Sequence, residues 1–218
     1  MGTRLDPDAL RVYVVTSGTL VPGRGHRDLA IAAIEGGATA IQLRAPELAD
    51  RELLPLASDL AAACRAAGVR FLVNDRVEVA VAAGADGAHV GQADAPEEAR
   101  GRLGPDRLLG VSVRDADQAR SAEAAGADYL GVTVWSTATK PEAVGEGPGG
   151  VAAVVAATSL PVVGIGGIDA ANAGAVIRAG AAGVAVISAV AAARDPAAAT
   201  RELRDAVDRA IEEPRGDR

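Results

Sequence analysis

The 218-residue chain is almost devoid of aromatic side chains: two Tyr, one Phe and one Trp. Its core must therefore be built from Ala, Val, Leu and Ile. At 49% apolar residues, a chain of this length can bury roughly 70% of its unfolded surface. Cysteine occurs once, at Cys64, which excludes an internal disulfide and reads as a small core residue in an Ala-rich helical stretch. The two histidines have no partner constellation in the sequence for nucleophilic catalysis. Residues 1–10 contain no apolar h-region, so no secretory signal is visible. The longest apolar run, 181–193, is interrupted by Gly183 and Ser188 and falls short of the ~20 residues that span a bilayer. A formal net charge of −7 without any Lys/Arg block argues against a nucleic-acid partner. The expectation is a soluble, cytoplasmic protein with no membrane partner. Lysine is nearly absent too: 21 of the 22 basic residues are Arg, and Lys140 is the exception. A compact ammonium in a chain that otherwise uses guanidinium forks asks for a chemical reason.

What the sequence does contain is an eightfold alternation. Short β-branched runs at 12–16, 40–44, 71–74, 87–90, 108–113, 129–134, 162–165 and 184–188 read as strands. Their continuous apolar character fits strands buried on both faces of a parallel sheet. Helix-length segments lie between them, among them 51–67, 96–103, 117–125, 172–179 and 196–211. Ala-Gly-Ala or Ala-Ala-Gly recurs at 66–68, 83–85, 125–127 and 179–181, just ahead of strands, where Gly can end a helix in the left-handed conformation. Eight βα units without a composition break predict one α/β domain over 1–218, a single (β/α)8 TIM barrel, with 1–10 and 213–218 as flexible tails. An open doubly wound sheet is the alternative, weakened by the lack of a glycine-rich dinucleotide fingerprint after the first strand.

In a barrel, the site lies at the carboxyl ends of the strands. The second strand ends in Gln42-Leu43-Arg44, and alternation sends Gln42 and Arg44 to the same side. They suit a heterocycle edge and a diphosphate, or an ordinary cap and ion pair. Asn74-Asp75-Arg76 ends the third strand, and the fourth leads through His89 to Asp94. Asp75 and Asp94 then share a rim, where a Mg²⁺ ion would relieve their repulsion; alternatively, each caps the following helix. His89 reads as a satisfied core or supporting histidine. Ser112, at the end of the fifth strand, could donate to a ring or phosphate. Thr137, Thr139 and Lys140 follow the sixth strand and suit phosphate recognition. Glycines in the stretch that follows, 141–150, would let it close as a lid, with a solvated loop as the plainer reading. After the seventh and eighth strands come Gly166-Gly167-Ile168 and Ile187-Ser188. There Gly167 would admit an anion to the backbone and Ser188 add a hydroxyl.

Taken in order, these segments resemble the thiamine phosphate synthase family, from Val12 to about Leu203. The resemblance rests on Gln42-Leu43-Arg44, Asn74-Asp75-Arg76, His89 to Asp94, Gly110-Val111-Ser112, Thr137-Ala138-Thr139-Lys140, Gly166-Gly167-Ile168 and Ile187-Ser188. It implies a transferase that joins a hydroxymethylpyrimidine diphosphate to a thiazole phosphate and releases pyrophosphate. It further implies Mg²⁺ held by Asp75 and Asp94. Gln42, Arg44, Asn74, Ser112 and Lys140 match pyrimidine diphosphate positions; Arg44, Lys140 and Ser112 would be the catalytic residues, with Arg44 and Lys140 joining Mg²⁺ in neutralising the departing charge. Thr137, Thr139, Gly167, Ile187 and Ser188 match positions around the thiazole phosphate.

The chain departs from the family pattern twice. Ala45-Pro46 stands where an acidic residue and Lys are usual, so one diphosphate-binding cation is missing. The run Thr133-Val134-Trp135-Ser136 is one residue shorter than its counterpart. A thiazole tautomerase would need neither the Asp pair nor the Thr-x-Thr-Lys segment. A non-catalytic thiazole phosphate-binding protein would be told apart by the absence of metal-dependent turnover, and a phosphosugar isomerase would want a Glu or His base at a strand end. Self-association into a homo-oligomer is left open.

Overall fold

The computed structural model describes residues 5–18, 20–91, 95–135 and 145–213. Eight parallel strands close in chain order into one barrel: β1 (Val12–Val15), β2 (Ala40–Leu43), β3 (Arg70–Asn74), β4 (Gly87–Val90), β5 (Leu108–Val113), β6 (Tyr129–Thr133), β7 (Val162–Ile165) and β8 (Gly183–Val186). The helices are α1 (His26–Glu35), α2 (Asp50–Ala67), α3 (Val77–Ala82), α4 (Pro96–Leu103), α5 (Ala116–Ala124), α6 (Gly147–Val155), α7 (Ala173–Arg178), the short α8 (Ser188–Ala191) and α9 (Pro196–Glu212). The (β/α)8 barrel expected from the alternation is the observed fold.

Two-residue periodicity divides every strand between two cores. Outward-facing Val12, Val14, Ile41, Phe71, Val73, Leu109, Leu130 and Val184 pack against the helices. Helix α9 answers with Leu203, Val207 and Ala210, which lie at helical spacing on one face. Inward-facing Tyr13, Val15, Ala40, Leu72, Tyr129, Val163 and Ala185 fill the barrel itself. Burial of these apolar side chains, at roughly 25 cal/mol per Å², supplies the main drive to close the barrel.

The Gly predicted to end helices does so. Gly68, Gly84, Gly126 and Gly180 all have positive φ, between 67° and 100°. The Asp two residues after two of them seats the next part of the sheet. Asp86 Oδ2 accepts from the Phe71 N–H at 2.9 Å, and Asp128 Oδ2 accepts from the Leu109 N–H at 2.8 Å.

Three expectations are corrected. Residues 1–10 are not a tail throughout, because Pro7–Leu10 forms a 3-10 helix whose start Asp6 caps. Leu10 is fully buried beneath the barrel, and its carbonyl passes so close to Gly183 that any side chain there would collide with it. At the other end, Glu213 alone of 213–218 is described, and it pairs with Arg178 at 3.1 Å; residues 214–218 lie outside the described residues. The glycine-rich stretch is not a lid at residues 147–150, which open α6; Val151 and Val154 are buried there, and their burial outweighs the low helix propensity of Gly. The remaining part of that stretch up to Val144 lies outside the described residues. Among the described residues no helix is long and apolar enough to cross a membrane.

Cys64 is buried on α2. Burial, assisted by the nearby Asp86 charge, pushes its thiol up to about 12. The thiol should therefore be silent toward a disulfide reagent in native protein and react stoichiometrically once urea unfolds the chain. Fast labelling of the native protein would contradict this packing.

Candidate active site

A single cavity at the carboxyl ends of the strands gathers residues from across the barrel. Gln42, Arg44, Asn74 and Ser112 line one side, and Gly166, Gly167, Ile187 and Ser188 line the other. Strand alternation and parallel register explain the first group. Gln42 pairs in register with Leu72 and Val15, Asn74 with His89, and Ser112 with Gly131, and all their side chains share the interior face.

The cavity floor is a hydrogen-bond chain the sequence analysis did not find. Gln42 Nε2 donates to the Tyr13 hydroxyl at 2.8 Å. The Tyr13 and Tyr129 hydroxyls lie 2.9 Å apart. His89 Nδ1 is 2.9 Å from the Tyr129 hydroxyl, and His89 Nε2 is 2.9 Å from Ser112 Oγ. One donor direction, from Gln42 through Tyr13, Tyr129 and His89 to Ser112, satisfies every link. It leaves the Ser112 hydroxyl proton available to the cavity. Room for this chain comes from missing side chains: a Cβ on Gly110 would lie 2.2 Å from the Tyr129 ring, and one on Gly131 would lie 3.1 Å from the His89 ring. His89 is thus satisfied, as expected, but by two hydroxyls rather than by an apolar core, and it lines the cavity. The available signal for the tyrosines was their rarity. Three of the chain's four aromatics, Tyr13, Tyr129 and Trp135, line this one cavity.

Arg44 is the one Arg or Lys lining the cavity among the described residues. Its backbone N–H donates to Thr16 Oγ1 at 3.3 Å. Arg76 points elsewhere, pairing with Asp50 and donating to the Leu48 carbonyl at 3.3 Å, so it anchors the start of α2. Asp75 carries the one positive φ of a described non-Gly residue, 59°, at a cost of about 1 kcal/mol. The residue preceding α3 is Arg76, and that helix has no side-chain cap, so the capping alternative for Asp75 does not hold. Its Oδ2 instead accepts from Asn74 Nδ2 at 2.5 Å. Asp94, Thr137, Thr139 and Lys140 lie outside the described residues. Among the described residues no group of three or more His, Cys, Asp or Glu side chains is arranged to hold a metal.

On the opposite wall, Gly166 and Gly167 have φ of 97° and 64°. The Gly167 carbonyl is tied back by Asn172 Nδ2 at 2.8 Å. Ser188 is the first residue of α8, with Ile187 as its cap; the strand expected to reach Ser188 ends at Val186. A second unforeseen array lies behind Arg44, where buried His26 is 2.8 Å from Thr16 Oγ1 and 2.7 Å from Glu47 Oε1. Thr16 and His26 stand at the two ends of the β1–α1 connection and Glu47 comes from the β2–α2 loop, so the histidine does have a hydroxyl and a carboxylate neighbour.

A closed (β/α)8 barrel with paired glycines after β7, a short extra helix after β8 and a polar cavity at the strand ends has the form of a phosphate-binding barrel enzyme. The thiamine monophosphate synthase family model matches residues 12–190, and the chain belongs to that family. A thiamine-phosphate synthase of Moorella thermoacetica is 50% identical over 202 residues, covering 91% of this chain and 96% of the relative. The corresponding protein of Chloroflexus aurantiacus is 49% identical over 196 residues, covering 89% and 91%. A solved thiamine phosphate pyrophosphorylase from Pyrococcus furiosus superposes with a TM-score of 0.87 at 39% identity, covering 94% of this chain and 98% of that one.

Burial pushes the Tyr13 phenol up to about 12, against the opposing effect of its hydrogen bonds with Tyr129 and Gln42. Burial likewise holds Tyr129 well above its ordinary value. Both raised values mean that the fold retains protons the unfolded chain releases near pH 10. Their stabilising contribution is complete below that pH and declines as pH rises through the folded values. Because the chain has just these two tyrosines, an ultraviolet titration should show no phenolate at the ordinary tyrosine pH while the fold persists. Normal ionisation of either would contradict the buried chain.

Proposed function

We propose that this family member is a Mg²⁺-dependent thiamine phosphate synthase. It couples a hydroxymethylpyrimidine diphosphate to a thiazole phosphate and releases pyrophosphate. The observation that carries this reading is the two-sided cavity. Amide, hydroxyl and guanidinium groups of Gln42, Asn74, Ser112 and Arg44 face the glycine pair and Ser188 across one space. Such a cavity suits one substrate read by its ring edge and diphosphate, and another held by a phosphate handle.

Aminopyrimidine electrons can delocalise a developing benzyl-like cation. The carbon–oxygen bond then breaks with its electron pair going to pyrophosphate, and the thiazole ring nitrogen supplies the pair for the new bond. No protein nucleophile is needed. Arg44 takes the departing charge through its planar fork, and Lys140 neutralises it from the sixth loop. Gln42 and Asn74 hold the pyrimidine side, while Ser112, oriented by His89, donates its hydroxyl proton to the same substrate. Gly167, Ile187 and Ser188 hold the thiazole phosphate, aided by Thr137 and Thr139, so that the two rings meet in line.

Asp75 and Asp94 would hold the Mg²⁺. The donor chemistry fits at Asp75, a hard oxygen donor on a backbone kept in a costly conformation and not used as a helix cap. The ion would supply charge neutralisation for the diphosphate.

Purified protein mixed with both substrates and Mg²⁺ should give thiamine phosphate by mass spectrometry. Product should disappear with chelator, and fall by at least about 100-fold in Asp75→Ala and Asp94→Ala. Binding of the thiazole phosphate without product would instead favour a tautomerase or a binding protein. Full activity in chelator would remove the metal from the account.

A further inference from the structure

The loop after β2 poses an electrostatic problem. Arg44 is the cavity's guanidinium among the described residues, and Glu47 follows it three residues later. The two charges are near enough to act on one another, since Arg44 is among the groups that favour the ionised Glu47. Released from its present partner, that carboxylate is the natural ion-pair mate for Arg44. A substrate diphosphate would then have to displace it. With Pro46 standing where a second cation is usual in the family, this loop itself supplies no Lys in compensation.

The structure gives the Glu47 carboxylate another partner. His26 Nε2 holds Oε1 at 2.7 Å. Burial of the carboxyl is outweighed by this hydrogen bond, by the Glu47 backbone N–H and by the His26 and Arg44 charges, so its pKa lies below the ordinary value. The imidazole is itself fixed from the far side. Its Nδ1 is 2.8 Å from the hydroxyl of Thr16, which is completely buried. The same hydroxyl accepts from the Arg44 N–H, and the Thr16 N–H donates to the Gln42 carbonyl at 2.8 Å. Gly18 completes the fit, because a Cβ there would lie 2.7 Å from His26 Nε2 and 3.1 Å from Glu47 Oε1. Although hydroxyl, imidazole and carboxylate are aligned as in a hydrolase triad, the complete burial of Thr16 excludes attack on a substrate. Among the described residues, Arg44 makes no ion pair, whereas Glu47 is paired with His26.

We propose that Thr16, His26 and Glu47 form a positioning array that holds the Glu47 carboxylate away from Arg44 and so keeps that guanidinium free for the substrate diphosphate. The inference rests on the synthase reading for its substrate, but not for its geometry. His26 is a positioning residue, acting through Glu47 on Arg44.

The test is a rescue. Binding of inorganic pyrophosphate with Mg²⁺, followed by calorimetry, should weaken about fivefold in His26→Ala, the strength of a competing, partly exposed ion pair. Adding Glu47→Gln to that variant removes the competitor and should restore affinity to within about twofold of the parent. A purely structural histidine gives no such rescue, because the double variant loses two contacts. His26→Phe, alone and with Glu47→Gln, preserves buried volume if the alanine variant does not fold. In turnover, the same pattern should appear in KM for the pyrimidine diphosphate, with KM for the thiazole phosphate moving less than about twofold. Unchanged pyrophosphate affinity in His26→Ala, or a double variant as weak as the single, overturns the array. Should the parent form no thiamine phosphate while the pyrophosphate rescue holds, the synthase reading falls and the array stands.

Discussion

Polar atoms inside a parallel barrel have no water to fall back on, so they must satisfy one another, and at the carboxyl end of this barrel they do so along one line. Gln42, Tyr13, Tyr129, His89 and Ser112 come from β2, β1, β6, β4 and β5, yet four hydrogen bonds of 2.8–2.9 Å join them. Breaking the link between the two tyrosines would leave a buried hydroxyl unpaired, at about 1–3 kcal/mol. That penalty sets the rest of the arrangement. Gly110 and Gly131 have to lack side chains, Tyr13 and Tyr129 have to remain protonated, and Ser112 is left presenting its hydroxyl to the cavity. Above this rigid floor, the loops are free to carry charge.

An acidic chain can build an anion site because local arrangement matters more than net charge. Arg44 stands at the wall while Glu47, in the same loop, pairs with His26 instead, and Gly166 and Gly167 turn the backbone after β7 through positive φ. These two features, one made of side-chain charge and one of backbone, face each other. The proposed coupling reaction fits this division, since it requires two phosphorylated molecules to be held at once.

Much of this was legible in the sequence because strand alternation is a strict geometric rule. Gln42, Arg44, Asn74 and Ser112 were found by counting along predicted strands, and the cavity brings them together as counted. The glycine pair after β7 was legible because few other residues can turn the backbone there. Tyr13 and Tyr129 escaped notice because, inside a strand pattern, a tyrosine is indistinguishable from any apolar core residue until its hydroxyl partners are known. The Thr16–His26–Glu47 array escaped for a different reason: its members are spread over two loops at irregular spacing and share no periodicity. Helix α6 was read as permissive loop from Gly147, Gly149 and Gly150, although Val151 and Val154 carried the burial that decides the matter. Asp94, Thr137, Thr139 and Lys140 lie outside the described residues, so their part in the site rests on sequence resemblance.

A floor joined by continuous hydrogen bonds must behave as one cooperative unit. A double-mutant cycle with Tyr13→Phe and Tyr129→Phe, read by urea unfolding at neutral pH, measures this directly. Each hydroxyl is the partner of the other, so removing the second should cost less than removing the first, with a coupling of about 1 kcal/mol or more. Effects that add to within about 0.3 kcal/mol would show two independent hydroxyls and contradict the continuous chain.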